Sequence, residues 1–264
     1  MINNYLKIFK FLISKTIPDR LIIIIYLCFF ILEPELTKTL MINSDQFNDE
    51  LGENHIATSA QNPVRNDAFT LSDEQKIELI KKDVENILHT LGMDLTDDSI
   101  KGTPNRVAKM FVKETFGGLN PNKKPKASTF ANNYKYGEML VEKNISLYST
   151  CEHHLLPIIG KAHIAYISKG TVVGLSKMNR IVDYYAKRPQ VQERLTMQIV
   201  QELQQVLGTE DVACVIDAKH LCVNSRGIRD VESSTVTSEY GGKFNDEITK
   251  REFLDYIKLD TKFQ

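Results

Sequence analysis

The chain has 264 residues, with 33 Lys and Arg against 34 Asp and Glu, a formal charge of −1, and 42% hydrophobic residues. That balance is ordinary for a globular protein and argues against a strongly basic nucleic-acid-coating protein, although a local basic pocket for a small anion would not show in the sum. A chain this long can bury a core unaided, and its 4 cysteines do not make a small disulfide scaffold, so thiols are open to metal binding or catalysis.

Lys7, Lys10, Lys15 and Arg20 precede the apolar run from Leu21 to Leu32, the basic-then-apolar order of a targeting leader. The run is shorter than the roughly 18 residues of a spanning helix, and no small-residue cleavage site follows it. Met41 opens Met-Ile-Asn just as Met1 does. Residues 1–40 therefore read either as an apolar leader, with membrane contact only if the 21–32 segment is real, or as sequence upstream of a start at Met41. Residues 41–70, rich in Asn, Ser, Asp and Gln, read as a flexible arm, and order is expected to begin near Leu71.

An N-terminal helical part is expected over 71–126. Ser72-Asp73-Glu74-Gln75 offers an N-cap and first-turn acids, and Ile77, Ile80, Val84, Ile87, Leu88 and Leu91 recur at helical spacing until Gly92. Thr103-Pro104 opens a second helix that runs to Thr115 and ends at Gly117-Gly118. Residues 127–264 then read as one catalytic domain. Strands are predicted at Ile145 to Thr150 and Ala162 to Ser168, and helices at Ser176 to Lys187 and Gln190 to Leu207. Further strands follow at Val212 to Ala218 and Val231 to Tyr240, with a last helix from Asp246 to Lys258. Strands grouped around a helix pair favour an α+β fold with a mainly antiparallel sheet.

Cys151-Glu152-His153-His154 packs a thiol and two imidazoles into four residues at a strand end. Residues 151 and 154 of a continuing strand would face opposite ways, so shared metal binding demands a turn there. His220-Leu221-Cys222, read as extended chain, puts both side chains on one face. Cys151, His154 and Cys222 would make a two-sulfur, one-nitrogen set suited to Zn²⁺, and three protein ligands leave one position open for a water activated near neutral pH. Spacing alone is equally compatible with buried structural cysteines, whereas a Cys151–Cys222 disulfide fits less well beside the nearby histidines and without a convincing secretory leader.

Gly174-Leu-Ser-Lys-Met-Asn-Arg180 sets Lys177 and Arg180 three apart in a first helical turn, with Ser176 beside them, an arrangement that suits phosphate or a plain solvated surface. Arg106, Lys109 and Arg226 add candidate anion contacts. Arg188-Pro-Gln-Val-Gln-Glu-Arg194 offers Glu193 and Gln192 to a base edge. A carboxylate accepts two parallel N–H bonds, as the ring N–H and exocyclic amine of guanine present, and Gln both donates and accepts.

Five segments in order, 102–110 (Gly-Thr-Pro-Asn-Arg-Val-Ala-Lys-Met), 151–154, 174–180, 188–195 and 220–227 (His-Leu-Cys-Val-Asn-Ser-Arg-Gly), closely resemble GTP cyclohydrolase I over about residues 71–260. The resemblance implies the tunnelling fold (T-fold): a four-stranded antiparallel sheet backed by two helices, with an N-terminal helical part. It implies a ring-shaped homodecamer with active sites between subunits, a cytoplasmic location, no nucleic-acid partner and no redox cofactor. Carried over by motif, Cys151, His154 and Cys222 are the zinc ligands, and His153 and His220 the acid/base pair. Ser176 assists later steps, Glu193 and Gln192 read guanine, and Lys177, Arg180, Arg226, Arg106 and Lys109 contact triphosphate. The implied reaction opens the guanine imidazole ring of GTP at C8, releases formate, rearranges the ribose and closes to 7,8-dihydroneopterin triphosphate. Tunnelling-fold relatives with a three-histidine zinc site, or with a cysteine nucleophile and NADPH, fit the ligand pattern less well. A non-catalytic zinc-stabilised oligomer would differ by unfolding when zinc is removed.

Overall fold

The computed structural model describes residues 58–126 and 128–260; the apolar run at 21–32, Met41 and the arm up to residue 57 lie outside them. Helix α1 (Asp73–Thr90) starts on a reciprocal cap, in which Ser72 Oγ accepts from the Gln75 N–H and the Gln75 side chain accepts from the Ser72 N–H at 2.9 Å. Only Ile77 of this helix is buried, while Leu79, Ile87 and Leu91 stay exposed on the single chain. Helix α2 (Thr103–Met110) opens with Pro104 and continues to Thr115 as a widened π-turn over Phe111–Thr115. The arm is not loose at its end, as its composition predicts. The Asn62 amide donates to the Pro189 carbonyl at 2.7 Å, and the Ser59 carbonyl accepts from Arg194 Nε at 2.8 Å. Polar bonds fix a stretch whose few apolar residues gave no signal of order.

The main sheet runs, in spatial order, Pro189–Gln190, Met139–Cys151, Pro157–Ile167, Val212–His220 and Thr235–Tyr240. Strands β2 (Met139–Cys151), β3 (Pro157–Ile167), β6 (Val212–His220) and β7 (Thr235–Tyr240) pair antiparallel, which is the expected four-stranded core, and the two residues of β5 (Pro189–Gln190) run parallel beside the end of β2. A separate ladder joins β1 (Thr129–Ala131) to β4 (Thr171–Val173), strands of three residues that are too short to show a period in sequence. Strand β7 starts later than its composition predicts. The Asp230 carboxylate accepts from the Glu232 and Ser233 N–H groups and curls 230–233 into a turn.

Helices α3 (Leu175–Ala186) and α4 (Gln192–Leu207) cover one face of the sheet, with Met178, Ile181, Leu195, Ile199 and Leu203 against Leu147, Ile158, Ile164 and Ile216. Each such side chain contributes about 1.5–3 kcal/mol on burial. Alternation turns Ala165, Ile167, Ala213 and Val215 to the opposite face, where Phe253 of α6 (Glu247–Lys258) and Phe244 pack edge to face with ring centroids 5.9 Å apart. A four-residue helix, α5 (Leu221–Asn224), follows β6. Among the described residues no helix is long and apolar enough to cross a membrane.

The helical part and the sheet belong to one unit, Ser59–Gln264, and Gly118 joins them. Its N–H donates to the Lys187 carbonyl at 2.9 Å and its carbonyl accepts from Arg188 Nε at 2.8 Å. A Cβ here would lie 1.9 Å from the Tyr184 carbonyl oxygen, in rigid helix backbone. Gly118→Ala is therefore expected to destabilise the fold by about 1–3 kcal/mol, read as a lowered midpoint in thermal or urea denaturation.

Candidate metal centre and active site

Strand β2 ends at Cys151, and the chain turns back so that Pro157 can pair with Thr150. The Cys151 N–H donates to the Leu156 carbonyl at 2.8 Å, and the Leu155 N–H donates to the Cys151 carbonyl at 2.9 Å. Leu155 adopts φ 53°, a left-handed conformation that costs a branched side chain energy and that the tight turn imposes. This is the turn that the Cys-x-x-His spacing required. The Glu152 N–H donates to the Gln190 carbonyl at 3.0 Å, which docks the turn onto β5.

The second ligand segment departs from expectation. His220 ends β6 opposite Ile158, but Cys222 lies in the helical turn of α5, so the two side chains are not placed by strand alternation. Leaving the strand after His220 lets Cys222 swing toward Cys151. One donor atom from each of Cys151, His154 and Cys222 lies within 4.8 Å of the others. His153 Nδ1 sits 3.8 Å from Cys151 Sγ, with the ring half exposed. Burial, followed by the neighbouring Cys151, pushes the Cys222 thiol upward. Two thiols side by side, next to an imidazole, are the donor set of a borderline-soft divalent cation, and they fit Zn²⁺.

His220 and Gln192 form the second half of the site. Gln192 at the start of α4 is buried, and its Nε2 donates to the Ile216 carbonyl at 3.2 Å, the Thr235 carbonyl at 2.9 Å and Thr237 Oγ1 at 3.1 Å. Two carbonyl partners fix which way the amide points, so its oxygen accepts from His220 Nε2 at 2.8 Å. The imidazole then carries its proton on Nε2 and keeps Nδ1 as acceptor. Burial lowers the His220 pKa, opposed by the Glu193 carboxylate, so the ring is neutral at pH 7. In this single chain the Gln192 amide, expected to read a base edge, is engaged inside the protein. Glu193, one residue on, is exposed and near enough to His220 to act on its charge.

Arg226 lies close enough to Cys222 to favour its thiolate. Ser176, Lys177 and Arg180 lie in the first turns of α3. Arg106 folds back on α2 to donate to Thr103 Oγ1 at 3.0 Å, and Lys109 is exposed farther along that helix. Sequence reasoning missed Glu152 and Arg194, which make a two-pronged ion pair with Nη1 to Oε2 at 2.6 Å and Nη2 to Oε1 at 3.2 Å. A signal was present: Gln190, Arg194, Gln198 and Glu202 recur every fourth residue, a polar stripe that begins in β5 and runs down an otherwise core-facing α4, and all four are buried.

A family model described as GTP cyclohydrolase I matches residues 80–258. The GTP cyclohydrolase 1 of Flavobacterium johnsoniae is 82% identical over 223 residues, 84% of this chain and 100% of that protein. That of Aeromonas salmonicida is 51% identical over 192 residues, covering 72% of this chain and 88% of the relative. That of Klebsiella pneumoniae is 47% identical over 204 residues, covering 77% and 92%. The matched span holds every segment of the site just described, and the chain belongs to the GTP cyclohydrolase I family.

Proposed function

We propose that this chain hydrolyses and rearranges GTP to 7,8-dihydroneopterin triphosphate with release of formate, the first step of pterin and folate biosynthesis, using Zn²⁺ held by Cys151, His154 and Cys222. The convergence of these three donors from two chain segments, with His153 and His220 beside them, carries the reading. Bound there, zinc supplies a Lewis acid that makes water nucleophilic at neutral pH. The chain's own groups supply the proton traffic. Neutral His220, held through Nε2 by Gln192, presents Nδ1 as a base, and His153 is exposed enough to exchange protons with substrate and solvent. Ser176 would act in the later rearrangement.

Glu193 is the group left to read guanine once Gln192 is committed to His220, and Lys177, Arg180 and Arg226 are the triphosphate contacts. The family resemblance supports a site completed between subunits, with Arg106 and Lys109 supplied by a neighbour in a homodecamer. The exposed apolar residues of α1 and the open edge of β7 support the same assembly. A cytoplasmic location is consistent with a GTP substrate and with thiols that must stay reduced.

Cys222→Ser is expected to lose zinc, read by elemental analysis of the purified protein. His220→Ala should retain zinc and GTP binding while formate release falls roughly 10²- to 10⁴-fold, the usual contribution of a positioned acid or base; normal turnover would discard the assignment. Glu193→Gln should weaken discrimination against ATP, measured as the ratio of kcat/KM values, and unchanged selectivity would remove its reading role. Zinc together with formate and a product that oxidises to a fluorescent pterin tests the activity itself.

A further inference from the structure

The buried guanidinium of Arg194 links two parts of the chain that the proposed reaction does not connect. Its Nη1 and Nη2 grip the Glu152 carboxylate, inside the turn that carries Cys151 and His154, and its Nε donates to the Ser59 carbonyl at 2.8 Å. Ser59–Asn62 has almost no apolar surface and is largely exposed, yet it answers a series of donors from the α4 side. Asn62 Oδ1 accepts from Arg188 Nη1 and Gln198 Nε2, each at 3.2 Å, while its amide donates to the Pro189 carbonyl at 2.7 Å. Arg194 is only 2% exposed, so water cannot easily replace the Ser59 carbonyl. Losing that acceptor leaves a charged N–H unsatisfied, and the guanidinium must turn to find another, giving up the two-pronged geometry on Glu152.

We propose that Ser59–Asn62 is a strap that completes the hydrogen-bond shell of Arg194, and that Arg194, acting through Glu152, is a positioning residue that holds the Cys151–His154 turn in its metal-binding shape. The arm that precedes the first helix thus governs how firmly the site keeps its metal. The inference rests on the reading of Cys151 and His154 as zinc ligands.

The test uses the full-length zinc-loaded protein and follows zinc release to an excess of a chromogenic chelator, the visible absorption of the cobalt-substituted protein, and the thermal midpoint. Arg194→Lys keeps the charge and loses the fork; Asn62→Ala unpins the strap without touching the core. Both are expected to speed zinc release, Arg194→Lys by about 10- to 100-fold, the range for losing a group that orients metal ligands, with altered cobalt bands and a retained cooperative melt. The double variant should release zinc no faster than Arg194→Lys alone, because both changes act through one guanidinium. A folded Arg194→Lys or Asn62→Ala protein that holds zinc like the wild type would overturn the strap, as would effects that multiply in the double variant. Should Arg194→Lys fail to fold, Asn62→Ala alone decides the matter. Failure of the underlying metal reading looks different: Cys222→Ser would then hold as much zinc as the wild type.

Discussion

The site depends on the register of three antiparallel strands. Strand β3 begins at Pro157 and Ile158, with Thr150 of β2 paired on one side and His220 of β6 on the other. Two segments about seventy residues apart are thereby delivered to the same end of the sheet, one as a turn and the other as the start of a helix. A slip of one residue in either pairing would send Cys151 or His220 to the opposite face. The bulge between Glu142 and Ile145, where Asn144 takes φ 61°, lies well back along β2 and leaves the register at the functional end regular.

Around this end the protein keeps an unusual amount of polarity inside. The stripe of Gln190, Arg194, Gln198 and Glu202 would be expensive beneath a helix if any member lacked a partner. Each finds one: Gln190 Nε2 donates to Gln198 Oε1 at 2.9 Å, and Glu202 accepts from the Tyr185 hydroxyl at 2.7 Å and from Lys124. A network satisfied in this way ties α4, β5 and the Cys151 turn into one orientation, whereas apolar contacts would let them slide. The apolar layer beneath α3 and α4 supplies stability, and the polar layer supplies direction.

Much of this was legible in the sequence, for physical reasons. The cap at Ser72, the Pro104 start and the helical periodicity of α1 are local signals, and the structure places these helices, with α3, α4 and α6, within a few residues of expectation. The metal donors were visible because thiols and imidazoles are chemically conspicuous at close spacing. Gln192 is ambiguous in sequence because an amide near a helix start looks the same whether it faces ligand or core, and only three-dimensional burial distinguishes the two. The α5 turn at Cys222 and the anchoring of Ser59 and Asn62 depend on partners more than a hundred residues away in the case of the arm, which no local pattern encodes.

The described cysteines fall into two structural settings. Cys214 lies wholly inside the sheet, where burial and Glu239 hold its thiol protonated far above neutral pH, so it is inert toward electrophiles. Cys151 and Cys222 sit together at the sheet's open end. Of these three only Cys222 is more than marginally exposed, and a cation bound there would shield both sulfurs of the pair at once. A cation held by Cys151 and Cys222 would thus change the chemistry of that pair and leave Cys214 untouched, a contrast set by a strand interior against a strand end.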